Sequence, residues 1–272
     1  MATIFHASDL HFGRPAVPEQ IEAIEHLIQD RRFDIVAISG DVSQRARAGE
    51  FQRARAFLRE AQRVSKTIVV PGNHDVQWWR SPILGEEDRI YEKYRAYISA
   101  DLEPCLRIPG VSVVGLNTSH GVTRHTLTWN LRDISIIGIV RKRQIERARA
   151  EFEKSPAGDA RVIVMHHNPV KGELSQRHGL KDTKKILGAF ADLSVDVVLC
   201  GHDHQEAIHY AEHTRKGTVI STAGTVSNRS RGGRPSSVNV IEVTTKEIVV
   251  TTSIWASRER AFVAGPQKCF PR

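Results

Sequence analysis

The sequence predicts a layered α/β protein with some antiparallel sheet. Short apolar runs alternate with amphipathic helical patterns over residues 3–200, which is typical of successive β–α units. Beyond this point three strand-like runs follow one another without intervening helices, at residues 218–224, 237–244 and 247–255. The second and third have the pattern of an antiparallel pair, joined near Thr245 and Lys246. Because the chain shows no internal repeat and no dividing linker, we expect one domain over residues 1–272.

The predicted elements follow a regular order along the chain. Strand-like runs occupy residues 3–8, 34–39, 66–70, 111–117, 161–165 and 196–200. Helical patterns occupy residues 18–30, 49–62, 86–99, 141–153 and 183–193. In the first helix the apolar residues on one face have the spacing of an amphipathic helix packed on a core: Ile21, Ile24, Leu27 and Ile28. Each strand is short and apolar, as expected for strands buried between layers.

Composition and charge narrow the class of protein. The 272 residues include 39 Lys and Arg against 31 Asp and Glu, so the formal net charge is +8. This surplus favours anionic partners, and nucleic acid, phosphorylated metabolites and anionic lipid all fit it. Three widely spaced cysteines form neither a disulfide framework nor a zinc-finger pattern, so we expect a reducing, cytoplasmic location. The N-terminal stretch lacks the pattern of a signal peptide, and no apolar run reaches the ~18 residues of a membrane span.

Polar side chains follow five of the predicted strands at their carboxyl ends. They are Asp9 and His11, then Asp41, then Asn73, His74 and Asp75, then His166 and His167, and last His202 and His204. Because ligands bind beyond the carboxyl ends of strands in open α/β sheets, we expect these side chains to converge. In extended chain, Asp9 and His11 would project to one side, and so would His202 and His204. A glycine opens three of the five blocks and would let the backbone turn close to a bound ion.

The residue types at these strand ends indicate a metal site. Carboxylate and imidazole without thiolate suit borderline-to-hard divalent ions such as Mn, Fe, Zn or Co. The candidate ligands are Asp9, His11, Asp41, Asn73, His166, His202 and His204. Seven exceed the need of one four-coordinate centre and suit two metals that share a bridging carboxylate. A polar turn explains any one block, but it does not explain five blocks in order, each after an apolar run.

The five blocks read "DLH", "GD", "GNHD", "H" and "GHDH", and in this order they resemble the motifs of the calcineurin-like metallophosphoesterase superfamily. They span residues 9–204. The resemblance implies a four-layer αββα sandwich of two mixed β-sheets flanked by helices, with a dinuclear site at the sheet edges. The stretches "SGDVSQRA" and "MHHNPV" look most like the bacterial cyclic-nucleotide phosphodiesterase and glycerophosphodiesterase branch. Ser43 and Gln44 stand where many members carry a second acidic residue.

The resemblance also implies roles for single residues. One metal would be held by Asp9, His11, Asp41 and His204, and the other by Asp41, Asn73, His166 and His202, so that Asp41 bridges them. His74 would contact the phosphoryl group or protonate the leaving alkoxide, and Asp75 would orient or charge His74 or cap the following segment. His167, Trp78 and Arg231 are expected near the substrate, Arg231 as part of an arginine-rich loop.

These roles imply hydrolysis of a phosphoester bond by in-line attack of a metal-bridging hydroxide. The expected substrate is a small anionic phosphodiester, either a cyclic nucleotide or a glycerophosphodiester. A nuclease acting on DNA or RNA is the second hypothesis, supported by the net charge of +8 but not by any interleaved aromatic and basic platform. Phosphomonoesterase activity uses the same metal core. A non-catalytic scaffold would be expected to lose ligands that are all present here, and homo-oligomerisation stays open.

Overall fold

The computed structural model describes residues 1–77, 80, 87–121, 137–173, 179–212 and 217–272. The strands within these ranges are β1 (Ala2–Ala7), β2 (Ile35–Ile38), β3 (Lys66–Val69), β4 (Cys105–Ile108), β5 (Val111–Leu116), β6 (Ala160–His167), β7 (Val197–Gly201), β8 (Ala207–Ala211), β9 (Thr218–Thr222), β10 (Ser237–Val243), β11 (Glu247–Ala256) and β12 (Ala261–Pro271). The α-helices are α1 (Pro18–Arg31), α2 (Ala48–Gln62), α3 (Glu92–Tyr97), α4 (Lys142–Glu153) and α5 (Thr183–Asp192). Short 3₁₀ turns cover Asn73–Asp75 and Glu87–Tyr91.

The strands form two mixed six-stranded sheets. The first has the order β12-β11-β10-β1-β2-β3, with β1, β2 and β3 parallel and β10, β11 and β12 added antiparallel. The second has the order β4-β5-β6-β7-β9-β8, in which β5, β6, β7 and β9 are parallel and the two edge strands run antiparallel to them. Parallel strands bring their carboxyl ends to one edge of a sheet, so each sheet presents one row of such ends.

Three apolar clusters separate four layers. The middle cluster joins the facing sides of the two sheets, for example Ile4 and Ile35 from the first with Val162 and Leu199 from the second. An outer cluster packs α1 and α2 on the first sheet, with Phe51 fully buried in it. The other outer cluster contains the buried faces of α4 and α5 with the outer side of the second sheet. The four-layer αββα sandwich expected from the sequence is confirmed.

Helix α1 shows how local sequence sets an element. Pro18 occupies the start of the helix, where its missing N–H removes no intrahelical bond. Ile21, Ile24 and Ile28 are buried on one face, as their spacing predicted. The helix ends where Arg32 takes a left-handed conformation, with φ of 47°, and its N–H donates to the carbonyl of Ile28.

The main differences from the predicted elements lie at sheet edges and in one helix. Strands β4, β8 and β12 were not predicted, and each lies at the edge of its sheet. The helix predicted for residues 86–99 is replaced by a 3₁₀ turn and the short α3. In the described part of the chain, no helix has both the length and the apolar character needed to cross a membrane.

Candidate metal centre

The carboxyl ends of both sheets meet over the middle cluster, and one group of donors there is rich in carboxylate. We call Asp9, His11, Asp41 and His204 the carboxylate half. All four side chains are buried. Nε2 of His204 lies 3.1 Å from Oδ1 of Asp9 and 3.0 Å from Nε2 of His11. The structure therefore brings together four donors from the loops after β1, β2 and β7, across both sheets.

A second group of donors adjoins the first and is rich in imidazole. We call Asn73, His166 and His202 the imidazole half. Oδ1 of Asn73 lies 3.0 Å from Nε2 of His166 and 3.0 Å from Nδ1 of His202, and these two ring nitrogens are 3.3 Å apart. His167 is close enough to offer a further nitrogen beside His166 and His202. The ligand set expected for the second metal thus converges on one point.

Asp41 connects the two halves. Its Oδ2 lies 3.8 Å from Nε2 of His11 on one side and 3.4 Å from Nε2 of His166 on the other. Its Oδ1 accepts the backbone N–H of His74 at 2.8 Å, which fixes the carboxylate plane. A Cβ on Gly72 would collide with this carboxylate, so the glycine in "GNHD" is required by the close approach of Asp41. One oxygen of Asp41 is therefore in position to serve both halves.

The backbone at these residues is not extended. This corrects the extended geometry predicted for the two D-x-H and H-x-H pairs. Asp9 has φ of 56°, His11 46°, His202 73° and His204 55°, all in the left-handed region. For non-glycine residues this conformation costs about 1–2 kcal/mol each. The side chains converge because the chain turns sharply after each strand, and not because alternate residues of a strand share a face. Asp41 follows the same rule with φ of 53°.

Two imidazoles have their tautomers set by backbone carbonyls. Nδ1 of His166 donates to the carbonyl of Ser39 at 2.8 Å, and Nδ1 of His204 donates to the carbonyl of Arg229 at 3.1 Å. In the neutral rings each Nε2 then carries a lone pair that points at the other donors. Metal-binding histidines are usually oriented in this way by a partner of their second nitrogen.

The donor set fits a cation on this geometry. Oδ1 of Asp9 is buried and has no hydrogen bond from the residues that the structure describes, while its Oδ2 accepts the backbone N–H of His202 at 3.0 Å. Nε2 of His204 lies 3.1 Å from that oxygen, and in the tautomer set by Arg229 this nitrogen carries a lone pair. Lone pairs facing each other in a buried site repel unless a proton or a metal ion lies between them.

The electrostatics of the centre are dominated by burial and by the two carboxylates. Burial alone would raise the pKa of Asp9, but the imidazoles of His204 and His11 hold it well below its usual range. Burial would likewise lower the pKa of His166, but the Asp41 carboxylate raises it to about 9. Burial and the nearby His166 lower the pKa of His202 to about 3. The two halves therefore differ in charge as well as in donor type.

His74 lies against the carboxylate half without being one of its donors. Its ring stands edge-on to His11, with centroids 4.9 Å apart. Its Nδ1 donates to the carbonyl of Gln44 at 2.7 Å, which leaves Nε2 as the ring nitrogen that can accept from another group. Nη1 of Arg229 lies 3.2 Å from this Nε2 and 3.1 Å from Oε1 of Gln44. A carbonyl and a guanidinium, rather than a carboxylate, position this histidine.

Asp75 does not orient His74, which corrects that expectation. Its two carboxylate oxygens accept backbone N–H bonds from Val42, Ser43 and Gly72, and the hydroxyl of Ser43 as well. Burial and the Asp41 carboxylate raise the pKa of Asp75 to about 7. Asp75 therefore ties the loop after β2 to the loop after β3, and it positions Asp41 and His74 only through the backbone.

The three residues expected near the substrate have different positions. Nδ1 of His167 pairs with the hydroxyl of Thr118 at 2.7 Å, and its buried Nε2 has no hydrogen-bond partner in the described ranges. Arg231 is partly exposed and lies 3.8 Å from Asp203. Trp78 falls outside the described residues. Arg229, two residues before Arg231, contacts His74 instead, and the sequence did not predict this. The signal that could have indicated it was that Arg229 and Arg231 belong to one arginine-rich loop.

The family comparison agrees with this geometry. A sequence profile described as calcineurin-like phosphoesterase matches residues 2–206, three-quarters of the chain. The chain belongs to this family. Membership supports phosphoester hydrolysis, and the two donor halves give it a candidate metal site. A search of curated proteins found no match.

Solved structures show the fold over nearly the whole chain. A purple acid phosphatase from yellow lupin (Lupinus luteus) seeds superimposes with a TM-score of 0.70 at 10% identity, covering 100% of this chain and 54% of that one. GAP50, described as the anchor in the inner membrane complex of Plasmodium, gives 0.58 at 12% identity, covering 98% and 90%. Vacuolar Protein Sorting 29 from Cryptosporidium parvum gives 0.50 at 11% identity, covering 100% and 98%. The chain spans about half the length of the lupin enzyme, and at these identities the likeness concerns the fold alone.

Proposed function

We propose that the chain is a dinuclear metal-dependent phosphodiesterase that hydrolyses a small anionic phosphodiester in the cytoplasm. The observation that carries the proposal is Asp41, whose Oδ2 faces both donor halves while its Oδ1 holds the backbone of His74. This arrangement supports two ions on one side of a substrate and an acid–base group beside them. Cyclic nucleotides and glycerophosphodiesters are the proposed substrates, on the likeness of "SGDVSQRA" and "MHHNPV" to that branch.

The two halves would each hold one divalent ion, chosen from Mn, Fe, Zn or Co. Bound ions would supply Lewis-acid stabilisation of the phosphoryl oxygens and a water that is nucleophilic near neutral pH. The contribution of the chain is to fix the donors before binding. The carbonyls of Ser39 and Arg229 hold two rings in one tautomer, and the backbone N–H of His202 holds Asp9.

His74 is proposed to protonate the leaving alkoxide. Since Nδ1 donates to Gln44, the transferable proton belongs on Nε2. In this structure Arg229 contacts that nitrogen, and a substrate phosphoryl group would compete for the same guanidinium. Release of Nε2 would leave it free to carry and donate a proton. General acid catalysis of this kind contributes typically about 10²–10⁴-fold.

The test is hydrolysis of bis(p-nitrophenyl) phosphate by protein supplied with Mn²⁺. Activity is expected to require metal and to fall at least about a hundredfold in His202→Ala, because the imidazole half loses a donor. His74→Ala should keep the metal and lose about a hundredfold in kcat on a diester with an alkoxide leaving group, but much less on bis(p-nitrophenyl) phosphate, whose phenolate leaves without protonation. The matched control is His26→Ala, an exposed histidine on α1, which should retain activity.

Three outcomes would contradict the proposal. Metal-loaded protein that cleaves neither a diester nor a monoester model substrate would be no phosphoesterase. Cleavage of p-nitrophenyl phosphate alone would make it a monoesterase. Equal activity with and without a strong chelator would show that metal ions take no part in the reaction.

A further inference from the structure

A cavity of about 320 Å³ lies beside the metal centre and belongs to neither donor half. Its walls come from the loops after β1 and β2 and from the start of α2. Its lining residues are Arg14, Pro15, Gln44, Arg45, Arg47 and Glu50. Three of these six are arginines with exposed side chains, so the cavity opens to solvent and is lined by cationic groups. Neither the metal ligands nor His74 account for such a lining.

The lining of this arginine cavity carries more positive than negative charge, with three arginines and one glutamate. Within the described residues, no carboxylate lies at ion-pair distance from the guanidinium groups of Arg14, Arg45 or Arg47. Glu50 is the one acidic residue in the lining, and its Oε2 accepts the backbone N–H groups of Arg45 and Arg47 at 2.8 and 3.2 Å. This carboxylate caps the first turn of α2. Clustered like charges without counterions attract an anion.

Gln44 connects the arginine cavity to the reacting groups. Its side chain lines the cavity, its backbone carbonyl accepts from Nδ1 of His74, and its Oε1 accepts from Nη1 of Arg229. Arg229 forms no ion pair with any residue that the structure describes. A single residue therefore separates the cavity from His74, and Arg229 adds a fourth guanidinium at the border, hydrogen-bonded to Gln44 and close to His74.

The walls are held in place by backbone contacts. The N–H of Gln44 donates to the carbonyl of Phe12 at 3.2 Å, and the N–H of Asn228 donates to the carbonyl of Pro15 at 2.9 Å. Ala16 and Ser227 form a further bridge. These bonds join the loops that carry Arg14, Arg45 and Arg229 before any ligand arrives. A site whose parts are already ordered loses less entropy on binding.

We propose that the arginine cavity binds a second phosphate group of the substrate, on the His74 side of the scissile bond. This inference rests on the proposed phosphodiesterase function and narrows its substrate to small phosphodiesters whose leaving alcohol carries a further phosphate. One guanidinium group can bind two oxygens of a phosphate at once. Several guanidinium groups around one cavity therefore favour a dianion over a singly charged group. Arg229, between the cavity and His74, contacts the substrate from the same side.

The test uses three matched substrates with Mn²⁺-loaded protein: a dithymidine phosphodiester with free terminal hydroxyls, and the same molecule with a phosphate on either terminal sugar. One phosphorylated form is expected to be cleaved with kcat/KM about tenfold or more above the unphosphorylated form. In Arg45→Ala and in Arg14→Ala that preference should fall about tenfold, mainly through KM. Both variants should cleave bis(p-nitrophenyl) phosphate within about twofold of the unmodified chain, since this substrate has no second phosphate.

The matched control is Arg55→Ala, an exposed arginine on α2 outside the cavity, which should keep the preference. Arg229→Lys should keep more of the preference than Arg229→Ala, because the lysine keeps the charge but not the paired hydrogen bonds. Equal kcat/KM for all three dithymidine substrates, with normal cleavage of bis(p-nitrophenyl) phosphate, would overturn this inference and leave the proposed function intact. Cleavage of no diester at all would overturn the proposed function itself. Cleavage of a long single-stranded oligonucleotide faster than of all three dithymidine substrates, with steep salt dependence, would show that the substrate is nucleic acid and not a small diester.

Discussion

The two halves of the metal centre are built from different donors although they share Asp41. The carboxylate half combines two buried carboxylates with two imidazoles, and the imidazole half combines one amide with two imidazoles. Harder ions prefer oxygen donors and borderline ions prefer imidazole. The two halves are therefore not equivalent. We expect the carboxylate half to favour Mn²⁺ and the imidazole half to favour Zn²⁺ or Co²⁺.

Removing the shared charge should have the largest effect, because it affects both halves. Asp41→Asn keeps the shape and an oxygen for the N–H of His74 but removes the anion next to His11 and His166. We expect weaker binding of both ions and a loss of activity of at least about a thousandfold. Metal content by mass spectrometry and kcat with bis(p-nitrophenyl) phosphate measure the two effects. Asp203→Asn, a carboxylate outside both halves, is the matched control and should stay within about twofold. Two tightly held ions in Asp41→Asn would show that the halves do not depend on Asp41.

Removing one histidine from each half should separate the two ions. His204→Ala removes a donor of the carboxylate half, and His202→Ala removes a donor of the imidazole half, from the same loop after β7. Each variant is expected to retain about one ion per chain. After loading with equal Mn²⁺ and Zn²⁺, the ion kept by His204→Ala should be mainly Zn²⁺, and that kept by His202→Ala should contain more Mn²⁺. The same ratio in both variants would show that the halves do not differ in preference.

A smaller effect on metal affinity is expected from Thr118, which contacts His167 beside the imidazole half. The hydroxyl of Thr118 pairs with Nδ1 of His167, whose buried Nε2 lies near His166 and His202. Thr118→Val should weaken binding of the ion in the imidazole half by about tenfold, as loss of such outer contacts usually does. Thr225→Val is the matched control, since this buried threonine donates to the backbone carbonyl of Asp9 instead. Calorimetric titration of metal into both variants gives the comparison, and an unchanged affinity in Thr118→Val would place His167 outside the site.

The sequence was sufficient to predict which donors converge beyond the strand ends but not their local geometry. The strands that precede the site are buried between layers, so each is a short apolar run that can be recognised in the sequence. The left-handed turns at Asp9 and His204 carry no such signal, because neither residue type demands that conformation. Arg229 was missed because its reach to His74 depends on how the loop after β9 folds back over the loop after β2. Spacing along a chain does not encode such a contact.

The edge strands were missed for a different physical reason. Strand β12 contains Gly265 and Pro266, a pair that is typical of a turn and is disfavoured in an interior strand. At the outer edge of the first sheet a proline removes no needed bond on the solvent side, and β11 shifts register between Thr251 and Ser253 opposite this segment. Strand β8 is half-buried along its length and so lacks the alternation that marks a strand. Edge positions tolerate residues that interior positions exclude.

The last effect concerns the stability of the fold beneath both halves and not metal binding. His6 is fully buried in β1, and its Nε2 pairs with the hydroxyl of Ser39, whose carbonyl orients His166. Burial lowers the pKa of His6 from 6.5 to about 3, although Asp9 acts in the opposite direction. Between these two values the unfolded chain binds a proton that the folded chain does not. Stability from this residue is therefore complete above about pH 6.5 and is lost as the pH falls towards 3.

His6→Gln should remove this pH dependence, because an amide does not titrate and can still bond to the Ser39 hydroxyl. Between pH 7 and pH 5 the unmodified chain should lose about 2 kcal/mol more unfolding free energy than the variant. Urea unfolding of both proteins after the same chelator treatment measures the difference, and other titrating groups cancel because both chains contain them. If the two proteins lost the same free energy over this range, His6 would be accepting a proton in the folded state. In that case the polar contacts behind the metal centre would be open to water, and the carbonyl that orients His166 would belong to a hydrated site and not to a dry one.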